Sequence, residues 1–235
     1  MSPSQSYTVR PISYDDCKEW CLYKHYAHRI PVISFAYGLY DSDLTLVGIC
    51  TYGLPANPSI GKGAFSGDWG DKLYELNRLC VNEGLPKNTL SFFLSQTFRL
   101  LPKPIALVSY ADSAMGHHGY IYQATNWLYT GLSDRHIQYR IEGLEGKHDR
   151  HTLDETKKVG RGGDKLAALI DHFGEDRVKV EERSRKHRYF LLLGDKRQKK
   201  AMLKALQYPV LSQYPKGDNS RYDASHQCEP QGLLF

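Results

Sequence analysis

Between Leu73 and Gly131 the hydrophobic period changes repeatedly, and that alternation restricts the fold more than any other feature. LYELNRLCV (residues 73–81) reads as a strand, Asn88–Leu101 as an amphipathic helix and IALVSYAD as a buried strand. Residues 117–127 then read as a short helix, and WLYTG opens a further strand. Strands that alternate with helices pack as an α/β or α+β domain, a central β-sheet flanked by helices.

Outside this block the punctuation is clear. Residues 12–28 suggest a helix capped by Ser13 or Asp15, with Pro31 beyond its end. SFAYGLYDSD and TLVGICTYGL suggest a hairpin turning through Asp41-Ser42-Asp43. Pro55–Asp71 reads as a Gly-rich loop. A polar stretch at about 140–163, with Gly143, Gly146, Gly160, Gly162 and Gly163, is expected to be a mobile insertion. Lys165–Phe173 suggests a helix, HRYFLLLG a strand and Lys196–Leu206 a basic helix. The expected organisation is one domain over 1–215, followed by a flexible tail over 216–235.

Hydrophobic residues at 41% and charged residues at 24% exclude disorder for most of the 235 residues. A bilayer span needs roughly 20 consecutive apolar residues, and runs such as 105–108 and 189–193 are far shorter, so no membrane partner is expected. MSPSQSYTVR lacks the apolar core of a secretory signal. Five scattered cysteines suggest reduced thiols and a cytoplasmic location. The charge is concentrated: Arg177–Lys204 holds eleven Lys or Arg against three acids, although the net charge is only +5. Such a segment fits either a nucleic-acid partner or a solvated charged face.

The chemistry is densest in the alternating block. Strand alternation puts Glu75 and Asn77 on one face and Arg78 on the other. A carboxylate within a strand is disfavoured, so Glu75 is either a base or an edge residue facing water. Tyr110 and Asp112 lie at the carboxyl end of an apolar strand, where α/β sheets form ligand crevices. Gly116-His117-His118-Gly119 then breaks into a helix carrying Tyr120 and Tyr122. Cys17, Cys21, His25 and His28 would share a helical face. At ~1.5 Å rise per residue they span far more than one tetrahedral site with bonds of ~2.0–2.3 Å, and no metal is expected.

The order strand, helix, strand, helix, strand resembles the second half of the GNAT acetyltransferase fold. IYQATNW is similar to its terminal-helix pattern, which places Tyr122 on the tyrosine that protonates the leaving group. ELNRLCV, Asn88-Thr89, SYADSAMGHHGYIYQATNW and KHRYFLLLGDKRQKKAMLKALQYPV resemble the phage Mom family of DNA adenine-modifying proteins, and KHYAHRIP extends the likeness weakly. The resemblance implies a GNAT-like sheet with a basic carboxyl-terminal extension, working in the cytoplasm of a bacterial host. It implies conversion of adenine in phage DNA to an N6-carbamoylmethyl form that restriction enzymes do not recognise, on a base flipped out of the duplex.

One departure bears on the acyl donor. Where acyl-CoA-dependent members carry a Gly-rich phosphate loop, this chain reads NEGLPKNTLS, with one Gly and a Pro lacking an amide, which argues against coenzyme A. The carbamoylmethyl group also contains a nitrogen that acetyl cannot supply but glycyl can. Glycyl-tRNA is therefore the favoured donor, with acetyl-CoA as the alternative. Under this resemblance Asp112 or Glu75 accepts the adenine proton, with His117 as an alternative base. Arg78 holds a phosphate or oxyanion, Tyr110 stacks on the base, and His25, Tyr26 and Asn88 line the substrate site.

Arg185, Lys186, Arg188, Lys196, Arg197, Lys199 and Lys200 are expected to contact the backbone of double-stranded DNA or tRNA. The terminal QGLLF resembles the bacterial sliding-clamp-binding peptide through Gln231, Leu233, Leu234 and Phe235, with Gly232 departing from it. Two rival readings are an acetyl-CoA-dependent acetyltransferase acting on a small amine or protein and a non-catalytic nucleic-acid-binding protein.

Overall fold

The computed structural model describes residues 3–57, 59–144 and 164–217, which include short helix α1 (Pro3–Ser6). The chain divides into two compact units, Met1–Leu132 with His187–Phe235, and Ser133–Lys186. The first unit is built on a seven-stranded sheet ordered β1-β2-β3-β4-β5-β9-β6. Its strands are β1 (Thr8–Pro11), β2 (Phe35–Tyr40), β3 (Leu46–Gly53), β4 (Leu73–Val81), β5 (Ile105–Asp112), β6 (Leu128–Leu132) and β9 (Lys186–Leu193). The expected alternation is present: β4 leads through helix α4 (Thr89–Leu100) to β5, then through α5 (Tyr120–Ala124) to β6. A mixed α/β sheet flanked by helices is therefore the observed class. The sequence did not show that HRYFLLLG would insert between β5 and β6, nor that Thr8–Pro11 would add an edge strand to β2.

Asp41 sets the first hairpin. Its carboxylate accepts from the Asp43 and Thr45 amides at 3.0 and 2.9 Å, closing the turn between β2 and β3. On the face of β5 carrying Leu107 and Ala111, α4 and α5 cover a core that includes Tyr52, Phe93, Leu94 and Trp127. The opposite face carries Ala106, Val108 and Tyr110. It packs against Phe65, Phe190 and helix α7 (Lys196–Ala205), which buries Met202 and Ala205 there.

Helix α2 (Tyr14–Glu19) begins with a reciprocal capping box between Ser13 and Asp16. The expected helix over 12–28 does not run its length. At Trp20–Lys24 it widens into a π-turn, with the His25 amide bonding the Trp20 carbonyl at 2.9 Å, and the chain leaves extended at His25. The Gly-rich segment is also more ordered than a loop, forming α3 (Ser59–Ala64) and a 3-10 turn (Gly67–Lys72).

The second unit pairs β7 (His136–Ile141) with β8 (Val178–Arg183), neither of which was expected. Helix α6 (Lys165–Phe173) precedes β8 and is capped by Asp164. Residues 145–163, most of the expected insertion, lie outside the described residues, as does the tail from 218. Among the described residues no helix is long and apolar enough to cross a membrane.

Two irregularities shape the middle of the sheet. Tyr52 pairs with Leu76 and Thr51 with Arg78, so Asn77 is an extra residue bulged out of β4. Its side chain accepts from the Thr51 hydroxyl at 2.6 Å and donates to the Val32 carbonyl at 2.8 Å. The bulge advances the alternation by one, so Arg78 faces the same side as Glu75 rather than the opposite side. The second irregularity is a short ladder. β4 and β5 pair in parallel only through Leu73–Ala106, Tyr74–Leu107 and Glu75–Val108. Beyond that point the Ser109 hydroxyl donates to the Leu76 carbonyl at 2.9 Å, replacing the lost ladder bond.

Gly53 lies where the bulge, β3 and the Val32 segment meet, and an added Cβ would collide with the Val32 carbonyl oxygen and crowd the Asn77 amide. Overpacking of this kind costs about 1–3 kcal/mol. Gly53→Ala is therefore expected to lower the midpoint of urea unfolding measurably, while Gly63→Ala, which meets nothing within 4 Å, is not.

Candidate active site

The divergence of β4 and β5 opens a crevice. Val108, the partner of Glu75, shares its face of β5 with Tyr110 and Asp112, and the bulge adds Arg78 to that side. The segment leaving the π-turn supplies His25 and Tyr26, and the turn after β5 supplies His117. Ring contacts join them: His25 stacks on Tyr26 at 4.4 Å, and Tyr26 meets His117 edge-on at 6.0 Å.

The electrostatics show how closely these groups are gathered. Burial, then the Asp112 and Glu75 carboxylates, push the Tyr26 hydroxyl up, against the opposing pull of Arg78 and Arg29. Burial together with the charges of Arg78, His28, His117 and Arg29 pushes His25 down to about 3, so it is a neutral imidazole in the working range. Its Nδ1 accepts from the Ala27 amide at 3.1 Å, which places the ring proton on Nε2. Burial also lowers His117, partly offset by Asp112. Tyr110 is raised by burial and by Glu75.

Arg78 is 7% exposed and held by two carbonyls, those of Asn77 and, at 2.9 Å, Arg29. Its Nε is buried and has no hydrogen-bond partner among the described residues. A buried, incompletely satisfied guanidinium is costly unless an acceptor or anion meets it. Glu75 accepts from the Ala56 amide at 3.2 Å, and Asp112 caps the turn after β5 through the Ala114 amide at 3.1 Å.

Tyr122 reaches the divergence from the other side of the sheet. Its hydroxyl lies 2.8 Å from Ser109 Oγ. The Leu76 carbonyl can only accept, so the single Ser109 proton goes there and Tyr122 donates to Ser109. Burial raises Tyr122 well above its ordinary value, against a smaller lowering by Ser109, so its proton is firmly held. Protonating a leaving group would require that hydroxyl to turn away from Ser109.

Of the residues named for catalysis or substrate binding, all but Asn88 come together here. Asn88 is exposed at the start of α4 with φ 71°, and its side chain makes no capping bond. Arg188 is a correction among the basic residues. It is buried, donates to Thr130 Oγ1 at 3.0 Å and lies over the Tyr208 ring at 3.5 Å, so it is committed to packing rather than to a phosphate. Arg185 donates to the Ser133 carbonyl at 2.7 Å, and Lys186 begins β9. Lys196, Arg197, Lys199 and Lys200 are exposed on α7. Gln231, Leu233, Leu234 and Phe235 lie outside the described residues. Cys17 and Cys21 are fully buried, with Cys17 pushed up to about 12 by burial, and they belong to a core cluster with Ala36, Ile49 and Cys80 of the sheet.

Ser109 and Arg29 were missed. A serine in an apolar strand looks like filler, and the Arg29 carbonyl has no signature in a sequence. At the β4–α4 turn the Thr89 amide bonds the Pro86 carbonyl at 3.2 Å, and Pro86 has no amide. Positions 86 and 89 of this turn therefore offer no free amide to a phosphate.

The Mom protein family matches residues 6–210, which contain every residue of the crevice. The chain belongs to the Mom protein family. It is 28% identical over 197 residues to the methylcarbamoylase Mom of Escherichia phage Mu, covering 82% of this chain and 77% of that protein. Partial backbone overlap is found with an N-acetyltransferase from Staphylococcus aureus Mu50, at 11% identity and TM-score 0.41, over 80% of this chain and 99% of that one. A GNAT family N-acetyltransferase from Escherichia coli in complex with CoA overlaps with TM-score 0.35 at 11% identity, over 52% of this chain and 68% of that one.

The His25 environment has a measurable consequence. In the unfolded chain His25 titrates near its ordinary 6.5, and in the fold near 3. The unfolded state therefore binds the proton first, and stability falls as pH drops from about 6.5 toward 3, by at most about 1.4 kcal/mol per pH unit from this group. Urea unfolding of His25→Gln between pH 7 and 4 should show a shallower loss than the parent protein.

Proposed function

We propose that the β4/β5 crevice transfers a glycyl group to the exocyclic amine of an adenine in DNA, and that the product rearranges to N6-carbamoylmethyladenine. The observation that carries this reading is the meeting of two carboxylates, Glu75 and Asp112, with the half-satisfied guanidinium of Arg78 in one buried crevice of a Mom-family chain. The family relative from phage Mu is named a methylcarbamoylase, which supports the same chemistry here.

The chemistry divides into two balanced steps. The adenine N6 attacks the glycyl carbonyl carbon; the N–C bond forms as the carbonyl electron pair moves onto oxygen, where Arg78 offers charge stabilisation. Collapse expels the ester oxygen of the donor ribose, which takes a proton, while N6 loses one to Asp112 or Glu75. The glycyl amine then attacks ring carbon C6, and the amide nitrogen leaves that carbon. The new link to the ring is the glycine nitrogen, and the former N6 becomes the carbamoyl nitrogen.

Adenine N6 is a weak nucleophile, so holding it against the carbonyl contributes more than the strength of the base. The stacked His25–Tyr26 pair and His117 provide aromatic walls for a flipped base. Tyr26 has its hydroxyl among both carboxylates and keeps its proton, so it can supply that proton to the leaving oxygen with less rearrangement than Tyr122. Glycyl-tRNA is the proposed donor, and exposed Lys196, Arg197, Lys199 and Lys200 are proposed contacts to nucleic-acid phosphates. The proposed outcome is DNA in the bacterial cytoplasm that resists restriction.

Nucleoside mass spectrometry of plasmid DNA from expressing cells tests this reading. Wild-type protein should yield carbamoylmethyladenine, and Asp112→Asn, Glu75→Gln and Arg78→Lys should each reduce it by about a hundredfold or more. Growth on glycine labelled with 15N should place the label on the nitrogen attached to the ring. Unmodified adenine despite abundant folded protein would overturn the acceptor, and product without the glycine label would overturn the donor.

A further inference from the structure

A second cleft lies on the same face of the sheet as the crevice, at the opposite end of β4. It is an open cavity of about 590 Å³ between the 3-10 turn and α7, with Asp68, Trp69, Lys72, Ala201 and Lys204 in its lining. Leu73 and Ala106 pair beside it, and Asp112 lies six residue steps along β5 from Ala106, about 20 Å at 3.3 Å per residue.

The cleft is built into the fold. An added Cβ at Gly70 would meet the Gly61 carbonyl oxygen at 2.5 Å, and one at Gly61 would meet the Gly70 carbonyl oxygen at 2.7 Å. Only glycines let α3 and the 3-10 turn touch backbone to backbone, and that contact sets the position of Trp69. The far wall is tied down as well. The Ser66 amide bonds the Ala205 carbonyl at 2.9 Å, and the Gln207 amide bonds the Ala64 carbonyl at 2.8 Å. Ala201 and Ala205 present small side chains from α7, which leaves the space open.

Its surface chemistry is specific. Trp20 and Trp127 are buried at 5% and 0% exposure, whereas Trp69 is half-buried. The Lys72 ammonium sits 5.3 Å from the Trp69 ring centroid, and Lys204 approaches from α7. Lys72 and Lys204 are both exposed, and Lys196, Arg197, Lys199 and Lys200 continue the positive charge along α7. An aromatic ring flanked by exposed cations beside a basic helix is the arrangement that holds unpaired nucleotides. A duplex keeps its bases stacked on one another and would use the cations alone.

We propose that this cleft binds an unpaired nucleotide, its base on the Trp69 indole and its phosphate between Lys72 and Lys204. The inference rests on the nucleic-acid acyl-transfer reading and extends it to a second contact about 20 Å from the crevice. Two strands could supply the nucleotide: the single-stranded acceptor end of a tRNA donor, or DNA opened beside the flipped base. Asp68 at the edge of the cleft is placed to accept from a base amine.

The burial of Trp20 and Trp127 makes tryptophan fluorescence a direct probe of Trp69. The wild-type protein is titrated with a short single-stranded RNA ending in CCA, a single-stranded DNA of equal length and a duplex DNA. Saturable quenching by RNA alone identifies the tRNA end, quenching by both single strands or by DNA alone identifies an opened strand, and either result supports the cleft. Anisotropy of the same labelled strands should show about tenfold weaker binding for Trp69→Ala, near-normal binding for Trp69→Phe and a reduced salt slope for the double variant Lys72→Ala/Lys204→Ala. No quenching by either single strand, or a folded Trp69→Ala protein that binds them as the parent does, overturns the proposal. Adenine modification is read separately by mass spectrometry. Quenching without modification therefore sinks the reaction and leaves the cleft, and modification without quenching does the reverse.

Discussion

The hydrogen bond from Ser109 to the Leu76 carbonyl marks the point on which the site depends. On one side of it β4 and β5 form an ordinary parallel ladder; on the other they separate, and the backbone groups freed by separation must find partners or water. A hydroxyl spanning the gap satisfies one of them without closing the crevice. Tyr122 then donates to the same hydroxyl, so helix α5 is joined to the point of divergence by a buried polar chain. Buried chains of this kind stabilise when complete and cost heavily when broken, which ties the packing of α5 to the opening of the site.

The crevice owes its electrostatic character to partial burial. Tyr26 and Tyr110 keep their protons because desolvation outweighs nearby charges of mixed sign, and His25 stays neutral because desolvation and the surrounding positive charges act together. A neutral imidazole and protonated phenols form a surface that can stack on a base without repelling a positively charged glycyl amine. Arg78, fixed by backbone carbonyls rather than by a carboxylate partner, retains electrostatic capacity for a developing oxyanion. The basic surface is built differently. The cations of α7 are exposed to solvent, suited to long-range attraction of phosphate, whereas Arg188 is held in place by Thr130 and Tyr208.

Much of this could be read from residue order. The period changes across residues 73–131 predicted the strands and helices that form, because apolar spacing decides which face a segment can bury. Chemistry-bearing side chains at the carboxyl end of an apolar strand, Tyr110 and Asp112, were recognisable for a related reason: backbone ends there, and side chains can face a ligand. The position of Arg78 was not legible. Strict alternation puts it opposite Glu75, and only the pairing of Thr51 and Tyr52 with β4 reveals the extra residue at Asn77.

The sequence by itself determined the element types across residues 73–131, the concentration of basic charge and the inventory of reactive groups, since these depend on local spacing and composition. Tertiary structure decided what pairing and packing decide: the bulge that turns Arg78 toward Glu75, the π-turn that releases His25 and Tyr26 toward the crevice, and the insertion of β9 between β5 and β6. It also decided that the Gly61–Gly70 contact leaves Trp69 at the surface while the other tryptophans are buried. Each of these is a relation between residues distant in the chain, and such relations acquire an energy only when the elements meet.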